Sequence, residues 1–363
     1  WHGTSSELAS RKANIASFAV LGAAFGSLFA LGIIDRLGRL RTWQIFTVLW
    51  MSGFIITMFS SGILGLLLFA RIWSGLGAGG LTVVATLFLS EIAPAKSRGA
   101  IVSVYMVVLL TALTLGFFIS YGASKNIAPT PEQYRIVLAI PLIPVGISLI
   151  LSFFLSDTPR WLVSKNRNEE ALEVLAKLRN KPKDHPYIER EMQEICNQVR
   201  DKKQMLSETS TWTIVKEIAT IKSYRDRFLL GAMFQTIAQW SGGNGITYYI
   251  SDIFEYAGVS SHNQSLITSG AYGIVKLVFT MIFTWGLIDI LGRRFCFISG
   301  LGLQCATHIY LAIYMGIWRD GSNQSASDAA IASIFIYAVG WSIGLCTVQY
   351  LYGTEILPTR IRG

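Results

Sequence analysis

The sequence predicts an all-α membrane protein built from two related helical bundles, and three observations carry that expectation. Of 363 residues, 52% are hydrophobic and only 15% charged, and mean hydropathy is positive, a composition suited to lipid rather than water. Nine apolar runs near the length of about 20 residues that a bilayer-crossing helix needs occupy roughly 13–34, 42–60, 64–88, 100–121, 136–155, 228–256, 266–288, 295–317 and 329–352. Two charged motifs recur in the same order, Asp35-Arg36-Leu37-Gly38-Arg39 as Asp289-Ile290-Leu291-Gly292-Arg293-Arg294 and Glu91 to Gly99 as Glu355 to Gly363, at offsets of 254 and 264 residues. Repetition in order and at nearly one offset indicates homologous halves. The expected division is an N-terminal transmembrane bundle over 1–155, a cytoplasmic helical linker over 156–227 and a C-terminal transmembrane bundle over 228–363.

The first run carries Gly22, Ala23, Ala24, Gly26 and Gly32, small residues that let helices approach closely in lipid. Loops that alternate along the chain differ in charge. One set holds Arg36, Arg39, Arg41, Lys96, Arg98, Arg293, Arg294, Arg360, Arg362 and the basic stretch from Arg160 to Arg227. The other set holds only Lys125, Arg135 and Arg319, with Arg11 and Lys12 before the first run. The positive-inside tendency makes the first set cytoplasmic. The two N-glycosylation sequons, at Asn263 and Asn323, fall in loops placed outside. The net charge of +9 is thereby explained by topology, and no nucleic-acid partner is implied.

Between the halves no run is long enough to span. Asn168 is positioned as a helix cap, with Leu172, Leu175 and Leu178 on one following face, and further helical patterns run through Ile188 to Val199 and Trp212 to Ile221. A brace between the halves and a plain linker are both compatible with this segment.

The run 228–256 is interrupted by Gln235, Gln239, Ser241, Asn244 and Thr247, and by Gly242, Gly243 and Gly245. Amides in lipid need partners or a watery cavity, and clustered glycines let a helix bend or open. The pattern reads either as a broken helix facing a substrate or as amides bonded to neighbouring helices. Lys276 lies near the middle of 266–288, where a cation costs about 2.5 to 3.5 kcal/mol, and no Asp or Glu stands near the middle of any run. Three explanations are open: a partner on a helix outside this sequence, a lysine kept neutral by burial, or an anionic substrate. Arg71 is the other cation within a run.

Cys196, Cys296, Cys305 and Cys346 have no metal or disulfide spacing and read as small buried hydrophobes. The four histidines, His2, His185, His262 and His308, are far apart in sequence. With no nucleophile–base pair, metal cluster or phosphate loop, the sequence implies no enzyme, no catalytic residue, no metal and no cofactor. It lacks an initiator Met and a signal peptide and stops at Arg362-Gly363, so a fragment of a longer protein is expected.

These residues together resemble the major facilitator superfamily, and within it the sugar porters. The resemblance rests on the paired motifs above, on Arg71 with Gly75, Gly77 and Gly79, on Asp157-Thr158-Pro159-Arg160-Trp161-Leu162, on Gln239 to Asn244 with Tyr248 and Tyr249, and on Glu355 with Pro358 and Arg360. It covers essentially the whole chain, whose nine runs correspond to the second to tenth of the family's twelve helices. The resemblance implies alternating access with substrate bound between halves at mid-membrane. It implies a cytoplasmic gate of Asp35, Arg36, Arg39, Glu91 and Arg98 with Asp289, Arg293, Arg294, Glu355 and Arg360, and proton coupling through Arg71. It also assigns substrate contacts to Gln235, Gln239, Asn244, Tyr248, Lys276 and Tyr350.

Departures from the family's hexose pattern lie at Met106 and Ala238, where it has glutamines, at Gly344 to Tyr350, where it has a Gly-Pro-rich run and a Trp, and at Lys276, where it has an Asn. They move the expected substrate from hexose toward a polyhydroxylated carboxylate such as quinate or a sugar acid. The expected protein is a proton-coupled symporter of a sugar, polyol or sugar acid in a eukaryotic, fungal-type plasma membrane. A neutral hexose uniporter or symporter, or a non-transporting nutrient sensor of the same fold, is the alternative.

Overall fold

The computed structural model describes residues 5–60, 62–94, 98–208, 211–259, 262–318 and 323–346. Among them there is no strand, and the chain forms two compact units. The first comprises Trp1–Val102 and Ile127–Met205, the second Ser103–Asn126 and Leu206–Gly363. This division differs from 1–155, 156–227 and 228–363: one apolar helix of the N-terminal half groups with the second unit, and most of the linker groups with the first.

In the first unit, α1 (Ser5–Leu37), α2 (Arg39–Met58) and α3 (Leu64–Ile92) carry the first three apolar runs. Helices α1 and α3 meet backbone to backbone: a Cβ at Gly79 would collide with the Ala23 carbonyl oxygen, and one at Gly75 with that of Ala19. Small residues permit this approach where lipid supplies no hydrophobic drive between helices. Ala30, Ile34, Phe46 and Val84 form the buried cluster alongside. The run 136–155 is carried by α5 (Pro131–Ala139) and α6 (Leu142–Ser152), interrupted around Pro141, where the missing N–H breaks the ladder.

The linker folds as α7 (Pro159–Ser164), α8 (Asn168–Arg179) and α9 (Pro186–Glu208) around Leu162, Val163, Ala171 and Val199. Two local expectations are corrected here. The N-cap of α8 is Arg167, not Asn168, which is the first helical residue. The buried face is Ala171, Leu175 and Ala176, whereas Leu178 is exposed.

The second unit contains α4 (Arg98–Asn126) from Ser103 onward, α10 (Thr211–Thr220), α11 (Lys222–Trp240), α12 (Gly243–Tyr256) and α13 (His262–Ile282). A π-helical turn (Phe283–Leu287) leads to α14 (Ile288–Leu291), α15 (Arg293–Ile317) and α16 (Gln324–Gly344). Its core is Ile246, Ile250, Phe254, Tyr272, Ile334, Tyr337 and Ala338, and α15 and α16 touch through Gly300 and Gly344. Cys296 and Cys346 are buried as expected and Cys196 half-buried, but Cys305 is exposed on the apolar exterior.

Seven helices among the described residues are long and apolar enough to cross a membrane. Of the nine expected runs, two fall outside those seven for visible reasons. Helix α2 opens on Arg39, Arg41, Thr42 and Gln44, and 228–256 is split into α11 and α12. In the window Pro131–Ser152 only 6% of residues are buried, so its apolar side chains face outward, as a hydrocarbon solvent requires.

Candidate functional site

The split in 228–256 is a true helix break. Helix α11 ends at Trp240, Gly242 takes the left-handed conformation (φ 82°), and α12 starts at Gly243. Glycine suits both positions: φ near +82° is strained for other residues, and a Cβ at Gly243 would lie 2.6 Å from Trp341 Nε1. Gln235, Gln239, Asn244 and Tyr248 are all exposed on this segment, and Asn244 Nδ2 donates to Gln239 Oε1 across the break at 2.9 Å. The expected contact residues of this helix therefore form a polar stripe, while Ala238 is buried.

Lys276 lies just beneath that segment, 3% exposed. Its Nζ stands 3.7 Å from the centroid of the Trp341 ring and 5.7 Å from that of Tyr272, and donates to Thr247 Oγ1 at 3.3 Å. The Tyr272 hydroxyl is buried without a hydrogen bond of ordinary geometry among the described residues. No carboxylate among them is within ion-pair distance of Lys276. A desolvated cation–π contact contributes about 2 kcal/mol, which offsets much of the insertion cost of about 2.5 to 3.5 kcal/mol. An ammonium has three N–H donors, however, and Thr247 and the indole face occupy two. This aromatic seat is absent from the sequence-based explanations, because only tertiary packing brings Trp341 of α16 over a lysine of α13. Met106 is buried with Leu110 and Cys346, against Trp341 and Leu277.

In the first unit, Arg71 is half-buried near the start of α3, its Nε lacking a hydrogen bond among the described residues. At the other end of that helix the acid–arginine motif forms a closed network. Arg39 binds Glu91 through Nε (3.0 Å) and Nη2 (2.9 Å) and reaches Asp35 through Nη1 (3.0 Å). Thr158 donates to Glu91 at 2.5 Å, and Trp161 Nε1 donates to the Asp35 carbonyl at 3.2 Å.

Gly38 offers no side chain to cap α2, and Asp157 does so instead, accepting from Arg39 N at 3.1 Å and Leu40 N at 3.3 Å. Gly38 is required because a Cβ there would occupy the position of the Asp157 carboxylate. Burial pushes the Asp157 carboxyl above its usual range, against the pull of three backbone amides and Arg39. Helix α8 of the linker also contacts the end of α3, where Arg179 donates to the Ile92 carbonyl at 2.9 Å while paired with Glu191.

The expected gate is thus only partly visible. Asp35, Arg39 and Glu91 come together within one unit. Arg36 and Arg294 are exposed, Arg293 is half-buried at the start of α15, and the side chains of Arg98 and Asp289 and the whole of Tyr350, Glu355 and Arg360 lie outside the described residues. Asn323 caps α16 by accepting from Ala326 N. Asn263 sits in the first turn of α13, accepting from Ser124 at 2.9 Å, and Ser265 of its sequon is buried.

Comparison with solved structures shows the fold. The proton:xylose symporter XylE bound to 6-bromo-6-deoxy-D-glucose superposes with a TM-score of 0.80 over 99% of this chain and 76% of that one, at 21% identity. A partially occluded inward-open form of XylE from E. coli gives 0.75 over 99% and 81%, at 20% identity. The architecture is that of a major facilitator transporter, an integral membrane protein. The family described as Sugar (and other) transporter matches residues 2–363, and the chain belongs to it. A probable quinate permease of Aspergillus fumigatus is 34% identical over 96% of this chain and 66% of its own length. A quinate permease of Neurospora africana is 32% identical over 92% and 63%. The chain spans just under two thirds of the length of these relatives.

Proposed function

We propose that the protein is a secondary active transporter of a polyhydroxylated carboxylate, quinate or a sugar acid, working by alternating access in a fungal-type plasma membrane. The observation that carries this reading is Lys276: a buried cation with no carboxylate partner and one donor unmatched among the described residues, beneath the polar stripe of Gln239 and Asn244. A substrate carboxylate would complete its coordination, while hydroxyls would suit the amides of Gln235, Gln239 and Asn244 and the rings of Tyr248 and Tyr350. The quinate permeases among the relatives support the same substrate class. Protons are the proposed coupling ion, with Arg71, half-buried and with its Nε unbonded among the described residues, as the coupling residue. Asp35, Arg36, Arg39, Glu91, Arg98, Asp289, Arg293, Arg294, Glu355 and Arg360 are the proposed gate.

A neutral hexose carrier is the second reading, and the Trp341 face favours it by giving Lys276 a seat that needs no anion. Uptake of radiolabelled quinate and of D-glucose by the full-length protein in proteoliposomes separates the two. The carboxylate reading expects saturable quinate uptake that galacturonate inhibits and glucose does not. Saturable glucose uptake unaffected by either acid would establish the second reading in its place.

A further inference from the structure

The break between α11 and α12 is held by two side chains that the sequence did not single out as a pair. The Ser241 carbonyl accepts from Tyr337 Oη at 3.0 Å and lies 2.9 Å from His308 Nε2. A carbonyl can only accept, so the contact with His308 requires the proton on Nε2 and fixes the tautomer. The two donors come from different helices, α16 and α15, and their rings meet edge to face at 5.2 Å. Tyr337 is fully buried, and a Cβ on Gly242 would stand 3.1 Å from His308 Nε2, so the imidazole abuts the left-handed residue itself.

Breaking a helix in a low-dielectric setting orphans carbonyls at its C-terminus, and an unsatisfied one is costly there. Filling both lone pairs of one carbonyl removes that cost at a single geometry. We infer that His308 and Tyr337 are positioning residues, a two-point clasp on the Ser241 carbonyl that sets the angle of the helix break and hence the placement of Gln239 and Asn244. Those amides stand on opposite sides of the break and are bonded to each other at 2.9 Å. A change of angle would separate them. A buried Tyr and a half-buried His serving only to fill space would have no reason to converge on one oxygen from two helices.

The substrate arm of the test rests on the transport reading above; the structural arm does not. Hydrogen–deuterium exchange over residues 241–250 and quinate binding are measured on the full-length protein in nanodiscs for wild type, Tyr337→Phe, His308→Met and His308→Gln. Met fills the imidazole volume without a donor, and Gln places an N–H near the position of Nε2. Tyr337→Phe and His308→Met should each speed exchange in this segment and weaken quinate binding roughly two- to tenfold, the span expected for one neutral hydrogen bond, and His308→Gln should restore both. Exchange at the wild-type rate in Tyr337→Phe and His308→Met, or a His308→Gln protein as impaired as His308→Met, overturns the clasp. If wild type binds no quinate, the exchange arm still decides the clasp, and only the substrate reading falls.

Discussion

Arg39 shows how much one residue in a repeated motif can do. Its guanidinium is bidentate to Glu91, its backbone N–H is capped by Asp157, and both charged side chains are nearly buried, at 8% and 4% exposure. Removing one partner of such a pair strands the other, a loss of about 3 to 5 kcal/mol in measured cases. Glu91→Gln should therefore lower the melting temperature of the detergent-solubilised full-length protein by several degrees. A melting curve overlying that of wild type would show that the network contributes no stability. Repetition marked Asp35, Arg39 and Glu91, and the resemblance to the sugar porters implied that they pair. It could not show that Asp157 caps α2 from 118 residues away, since a carboxylate far along the chain carries no mark of the helix end it will meet.

Among the elements, glycine placement separates positions that pack from positions that do not. Gly79 of α3 faces the Ala23 backbone with no room for a methyl group, whereas Gly32 of α1 has nothing within 4 Å of an added Cβ. Gly79→Ala should destabilise by at least the 1 to 3 kcal/mol typical of overpacking, because the obstacle is backbone. Gly32→Ala should be neutral or slightly stabilising, as Ala is favoured over Gly in a helix interior. Thermal unfolding of the two variants side by side checks this, and equal effects would contradict the α1–α3 contact. The break in 228–256 was readable because amides and glycines cluster there. The seat of Lys276 was not, since Trp341 lies in another helix, 65 positions on. His308 likewise looked like one of four scattered histidines until tertiary packing brought it to the Ser241 carbonyl.

For the molecule as a whole, the account requires the linker on the cytoplasmic side and Lys276 at the substrate. Lys177 is exposed on α8, so Lys177→Cys should resist a membrane-impermeant maleimide in intact cells and react after permeabilisation. Labelling before permeabilisation would invert the topology. The central claim is tested most directly by the dissociation constants of quinate and D-glucose for wild type and Lys276→Asn. Truncating one partner of a buried charge pair costs about 2 to 5 kcal/mol, so the substitution should weaken quinate binding by about 30-fold or more, with no comparable loss in whatever weak affinity the wild type has for glucose. Equal quinate affinity in the two proteins would contradict the claim and leave Lys276 as a structural cation seated on Trp341.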